Sequence, residues 1–275
     1  MEATLSHEVS KLARPAEGKE SAVSPPAIEF DKVRISFGGR DIVEPTSLKI
    51  EAGEFVCIIG SSGCGKTTLL RAAAGLLEPS SGQVRLHGSP VVGPSPEVAV
   101  VFQDYGRALL PWRTAAENVA LALESEGVPR KAQHDIVMEM LAKVGLKSHA
   151  AKFPSEMSGG MQQRLQIARC LAQKPSVLLM DEPFGALDAM TREGLQDEVA
   201  RLVAEQGITA VFVTHDIEEA IYLSDRVLAL RANPGRIAKV IEVPLERPRT
   251  QISTREEPVF LKLRRELHAL IGEDH

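Results

Sequence analysis

Between a short apolar run at 55–59 and a helix-forming stretch at 66–77, the chain reads Gly60-Ser61-Ser62-Gly63-Cys64-Gly65-Lys66-Thr67. A strand that runs through a glycine loop straight into a helix admits few folds. The loop glycines let backbone N–H groups curl around an anion, and the helix offers its positive N-terminal end. Lys66 is placed to reach the outer phosphates, and the Thr67 hydroxyl to help hold Mg²⁺. The pattern therefore predicts a phosphate-binding loop made of Gly60, Ser61, Ser62, Gly63, Cys64, Gly65, Lys66, Thr67 and Thr68, with a nucleoside triphosphate as ligand.

Small-molecule kinases, GTPases and helicases also carry such a loop, so the rest of the chain must choose among them. Residues 176–182, Ser-Val-Leu-Leu-Met-Asp-Glu, read as a buried parallel strand ending in two acids. An acid at the carboxyl end of such a strand sits beside the phosphate loop, where Asp181 can join the Mg²⁺ shell. Glu182 then faces the water that would attack the terminal phosphate. Between loop and acids lies Met157-Ser158-Gly159-Gly160-Met161-Gln162-Gln163-Arg164, opening a helical run at 165–172. A serine and two glycines at a helix start form a second anion-binding site, far from the first in sequence. One triphosphate cannot easily need both from a single subunit.

These segments together resemble the ATP-binding subunits of ABC transporters. The other family elements follow in order: Gln103 after the strand 98–102 matches the glutamine loop, Ala186-Leu187-Asp188 the D-loop, and His215 after the strand 208–214 the switch histidine. Phe37 falls where the family places an aromatic that stacks on adenine, although a core position is an equal reading. The resemblance spans roughly residues 28–240; Met161 departs from the commonest signature, which has glutamine there.

The resemblance implies a head-to-tail homodimer with each ATP sandwiched between subunits. Lys66, Thr67 and Asp181 of one subunit would hold phosphates and Mg²⁺, with Gln103 sensing metal and water. Ser158, Gly159 and Gly160 of the other would close on the γ-phosphate. Glu182 would orient or deprotonate the water, His215 would contact the γ-phosphate, and Asp188 would link the two sites.

The implied fold is α/β: a P-loop NTPase core with a mostly parallel sheet, an antiparallel β subdomain from 28–50 and 83–87, and an inserted helical subdomain at roughly 114–171. Residues 1–27, rich in charge, Ser, Ala and Pro, read as a mobile tail ahead of an ATPase domain at 28–247. In the helical tail at 248–275, Phe260, Leu263, Leu267 and Leu270 share one face that either packs on the domain or binds a partner.

A formal net charge of −5 argues against a general nucleic-acid binder. The three cysteines, Cys57, Cys64 and Cys170, lack metal-ligand spacing and fit a reducing cytosol; Cys64, inside the loop, is either a small filler or a reactive thiol. No stretch approaches the roughly 20 apolar residues that cross a bilayer, and no signal-like core is expected at the N-terminus.

Such an ATPase must act on something else: a separate membrane permease, or a soluble non-transport partner. Residues 101–114, 157–161 and 214–220 resemble the importer subunits for nitrate, sulfonate and taurine. That implies a peripheral protein on the cytoplasmic face of the inner membrane, working with permease subunits and an external solute-binding protein to import a small anion. Trp112 either anchors a permease helix or fills the seam between core and helical subdomain.

Overall fold

In the computed structural model, residues 24–125, 127–185 and 187–272 are described; residues 1–23 of the expected tail, Ala186 of the D-loop segment and 273–275 lie outside them. The chain opens with an antiparallel sheet. Strand β1 (Ile28–Phe37) turns through Gly38-Gly39, both at positive φ, into β2 (Arg40–Ile50). A two-residue turn with both φ positive matches strand twist and pairs Phe37 with Arg40. On its other edge β1 pairs antiparallel with β4 (Ser81–Leu86), and β4 with the short β5 (Ser89–Pro90).

The second sheet holds β3 (Phe55–Gly60), β6 (Val98–Val101), β7 (Val177–Asp181), β8 (Thr209–Val213), β9 (Arg226–Arg231) and β10 (Arg236–Glu242). Its order is β10-β9-β3-β8-β7-β6, parallel from β9 to β6, with β10 antiparallel at one edge. Every residue of β3, β7 and β8 is buried, as a sheet covered on both faces requires. Alternation along the strands sends the two sets of side chains to different cores. Val56, Ile58, Val211 and Val213 pack with the first sheet's Phe30, Ile35, Val43 and Ile50. Phe55, Cys57, Ile59, Ala210 and Phe212 pack instead with the helical half of the molecule.

Helix α1 (Lys66–Ala73) leaves the phosphate loop and ends earlier than the predicted 77. Gly75, at φ 70°, stops it: Gly75 N–H donates to Ala72 O and Leu76 N–H to Arg71 O, which satisfies the last carbonyls. After a short helix, α2 (Tyr105–Ala108), come α3 (Ala115–Ser125), α4 (Arg130–Lys143) and α5 (Gly159–Ala172), which pack on one another. Buried Asn118 of α3 organises the loop before it. Its Oδ1 accepts from Leu110 N–H at 2.9 Å, and its Nδ2 donates to the carbonyls of Leu110, Arg113 and Thr114. The loop so held carries Trp112, which is 71 % exposed and does not fill a seam.

Helix α6 (Ala189–Gln206) precedes β8, and α7 (Ile217–Leu223) follows it. Asp216 caps the start of α7 by accepting from Glu218 and Glu219 N–H, while Arg249 Nη1 donates to Ile221, Tyr222 and Ser224 carbonyls at its end. Both interactions suit the helix dipole. The short α8 (Ser253–Glu256) leads into α9 (Pro258–Gly272), whose Phe260, Leu263 and Leu267 are buried in the helical-side core, with Leu270 against them. The apolar face of this helix therefore packs on the domain. Phe260→Ala should lower unfolding free energy by about 3–5 kcal/mol in a denaturant titration, the cost of an aromatic-sized core cavity.

Candidate functional site

Register across three strands assembles the site. Val213 of β8 lies opposite both Ile58 of β3 and Asp181 of β7. The bridges continue just past the strand ends, with Glu182 N–H donating to Val213 O at 2.9 Å and Thr214 N–H to Ile58 O at 3.2 Å. The phosphate loop, the two acids and the Thr214-His215 pair therefore leave the sheet along one edge, the carboxyl edge where parallel sheets bind ligands.

The loop geometry demands glycine at two points. Gly60 sits at φ 155°, and a Cβ there would collide with the Leu230 carbonyl and crowd Cys64 Sγ. Gly65 caps α1 at φ 92°, where a Cβ would stand 2.7 Å from Val43 Cγ2. Lys66 folds back along the loop, its Nζ donating to Gly60 O at 2.8 Å and Ser61 O at 3.1 Å. The ammonium is thus held at the loop by two carbonyls that an anion's oxygens can replace. Thr67 Oγ1 donates to Asp181 Oδ1 at 3.0 Å. Hydroxyl and carboxylate side by side are a hard oxygen pair, the donor set that Mg²⁺ takes together with phosphate oxygens. Burial pushes the Asp181 carboxyl above its usual range, opposed by the Thr67 hydrogen bond and the nearby Arg71 and Lys66 charges, with the Glu182 charge adding to the rise.

Glu182 has φ 43°, a left-handed conformation uncommon for a non-glycine residue. Strain of this kind costs roughly 1–3 kcal/mol and persists only where surroundings enforce it. Its carboxylate lies between two polar side chains: Gln103 Nε2 donates to Oε2 at 3.4 Å, and His215 Nδ1 stands 3.3 Å from the same oxygen. His215 is exposed, and the Thr214 beside it is buried.

A cavity of about 650 Å³ is lined by Phe37, Ile42, Ser62, Gly63, Gly65, Lys66, Thr67, Thr68, Gln103, Glu182 and His215. Phe37 is 53 % exposed, so the core reading of this residue is overturned; its ring is on the cavity wall. Ile42 is the wall residue that sequence reasoning missed. It sits unpaired at a β-bulge, between the Ser36–Asp41 and Ile35–Val43 pairs, a feature that strand alternation in the sequence does not mark. Cys64 is fully buried, which makes it a filler beneath the loop.

Ser158, Gly159, Gly160 and Asp188 lie outside this cavity's lining. Ser158 is exposed and caps α5, its Oγ accepting from Met161 N–H at 3.3 Å. Asp188 caps α6, accepting from Thr191 N–H at 3.1 Å; the Thr191 hydroxyl first, and then that N–H, hold its carboxyl below the usual range. Gly160 brings α5 against α6: a Cβ there would meet Thr191 Cγ2 at 2.9 Å.

Burial raises the thiols of Cys57 and Cys170, the latter to about 11. Iodoacetamide at neutral pH should therefore leave Cys57, Cys64 and Cys170 unmodified in the folded protein and label all three in guanidinium, as read by peptide mass spectrometry.

Comparison with known proteins places this geometry in a family. Residues 43–185 match the family described as ABC transporter. The nitrate import ATP-binding protein NrtC of Synechococcus elongatus is 49 % identical over 84 % of this chain, which spans 35 % of that longer protein. NrtD of the same organism, also a nitrate import ATP-binding protein, is 43 % identical, with 87 % of this chain and 89 % of the relative covered. Among solved structures, the ATP-binding cassette MJ0796, a dimer in a post-hydrolysis state bound to ADP and Pi, aligns with a TM-score of 0.68 at 30 % identity, covering 78 % of this chain and 98 % of that one. The chain belongs to the ABC transporter family.

Proposed function

We propose that this chain hydrolyses ATP as a subunit of an importer, pairing head to tail with a second copy around two nucleotides and driving a separate membrane permease. The observation that carries this reading is the division of phosphate-binding parts within one chain. Lys66, Thr67, Gln103, Glu182 and His215 converge on one cavity, whereas the Ser158 helix start stands exposed outside it. A second subunit presenting Ser158, Gly159 and Gly160 would supply the missing donors to the γ-phosphate. The solved dimer of the MJ0796 cassette is a precedent for such pairing in a relative.

In this reading the phosphates displace Lys66 Nζ from the Gly60 and Ser61 carbonyls and take its hydrogen bonds. Phe37 and Ile42 cover the base. Mg²⁺, held by Thr67 and Asp181 with Gln103 near, would neutralise charge on the phosphate oxygens. Glu182, its carboxylate held between Gln103 and His215, orients the attacking water and accepts its proton. His215 contacts the γ-phosphate as charge redistributes. Phosphoryl transfer depends on positioning and electrostatics, so these contacts are the catalytic apparatus.

The permease side falls to the loop 110–114, where the Asn118 hydrogen bonds hold Trp112 out toward solvent as an aromatic anchor. Helices α3 to α5 form the helical subdomain that carries it. No helix among the described residues is long and apolar enough to cross a membrane, so attachment to the cytoplasmic face would run through that permease. The nitrate import relatives favour a small anion as the solute, delivered by a solute-binding protein.

Glu182→Gln should lower ATP turnover by at least about 100-fold, the scale of a lost general base. It should also elute as a dimer on size exclusion with ATP and as a monomer without it; full turnover by this variant would remove Glu182 from the mechanism. Phe37→Ala should raise the dissociation constant of a fluorescent ATP analogue by about tenfold, the scale of one lost base–aromatic stack. Unchanged affinity would place the adenine elsewhere.

A further inference from the structure

Arg192 stands four residues beyond Asp188 on α6 and faces two segments at once. Its Nη2 donates to the Leu187 carbonyl at 3.0 Å, on the residue just before Asp188. Its Nη1 lies 3.9 Å from Asp216 Oδ2, and its Nε 3.9 Å from Glu219 Oε1. Those carboxylates flank His215. Asp216 comes directly after it and caps α7, while buried Glu219 accepts from Thr214 Oγ1, on the residue just before His215, at 2.6 Å. Gln196, one turn along α6 from Arg192, donates to the other oxygen of Glu219 at 3.0 Å. The remaining neighbours of this cluster are fixed from behind, since Gln251 Nε2 donates to Gln196 Oε1 and Arg255 binds Glu218.

The guanidinium is only partly engaged. Arg192 Nε is buried and makes no hydrogen bond, because 3.9 Å to Glu219 exceeds hydrogen-bond reach by roughly 1 Å. An unmade bond of this kind is costly, and a small shift of α6 toward α7 would form it. The fork thus has one firm contact on the Asp188 turn and two loose ones on the His215 segment.

We propose that Arg192 is a positioning residue that couples the Leu187–Asp188 turn to the His215 segment. The inference rests on the proposed function, in which Asp188 meets the second subunit and His215 the γ-phosphate. Docking of a partner at Asp188 moves the Leu187 carbonyl, Arg192 moves with it, and the Asp216 and Glu219 carboxylates fix Thr214-His215 for hydrolysis. Rigid Arg geometry suits this task better than a flexible ammonium.

The test is a double-substitution cycle in ATP turnover by the full chain, with wild type, Arg192→Gln, Glu219→Gln and the pair. Each single change is expected to lower kcat about tenfold with KM within about twofold, and the pair to fall no further than the worse single, the signature of residues acting as one unit. Melting temperatures of all four proteins are read alongside. Losses in kcat that multiply in the pair, or that track a lowered melting temperature, overturn the coupling. So does a change confined to KM. Should Arg192→Gln fail to fold, Arg192→Lys carries the same cycle, since it keeps the charge and loses the planar fork. Wild type without ATP turnover would remove the functional reading itself, an outcome separate from additive losses in an active enzyme.

Discussion

Parallel pairing of β3, β8 and β7 in a single register is the constraint on which the site depends. Ile58, Val213 and Asp181 form one row across the sheet, so the residues just after each of them emerge at the same height. A one-residue slip of any of these strands would reverse its buried faces, moving Val56 and Ile58, or Val211 and Val213, from one core to the other. Because both faces are buried and lined by different sets of side chains, the packing penalises that slip on each side. Hydrophobic register thereby becomes catalytic register. Thr67 meets Asp181, and Gln103 and His215 meet Glu182, without any loop having to be long.

Parts of the site that are written as contiguous chain were legible in the sequence, and parts made by packing were not. The loop 60–67 announces itself because its glycines, its lysine and the helix after it are consecutive. The acids at 181–182 could be read because an apolar strand points to them. Phe37 and Trp112 each admitted a buried reading, since an aromatic in a sequence carries no sign of which way it faces; exposure decided both. Asn118 and Arg192 gave no signal. A lone Asn in a helix and an Arg on its first turns are ordinary surface residues until tertiary structure lays a loop or a second helix against them. The end of α1 was legible but misjudged: Gly75 carried the stop, and the helix-forming pattern to residue 77 ran past it.

Local costs fall both on the proposed machinery and elsewhere: Lys32, His87, Lys174 and Asn233 also hold positive φ, and His149 Nδ1 and Gln206 Nε2 are also buried without a bond. Glu182 holds a left-handed backbone, Lys66 is buried beside the loop carbonyls, Arg192 leaves a buried donor unbonded, and Trp112 gives a large ring to water. The Glu182 backbone and the unbonded Arg192 donor each cost on the order of 1 kcal/mol. The two cores and the α9 packing around Phe260 supply the stability that such a surface lacks.

The division between the cavity and the Ser158 helix start gives a physical reason for pairing to depend on nucleotide. Within one chain, the Ser158 hydroxyl accepts from Met161 N–H, and neither Gly159 nor Gly160 is among the residues that line the cavity. On the proposed reading, two copies related by a twofold axis use the same two surfaces twice, so each nucleotide is enclosed once and the assembly closes. ATP then contributes to dimerisation because its γ-phosphate is shared, and hydrolysis removes the shared group. On that reading, segments lining one nucleotide must feel the other subunit, and Asp188, beside the Leu187 carbonyl that Arg192 holds, is placed to carry the signal toward His215.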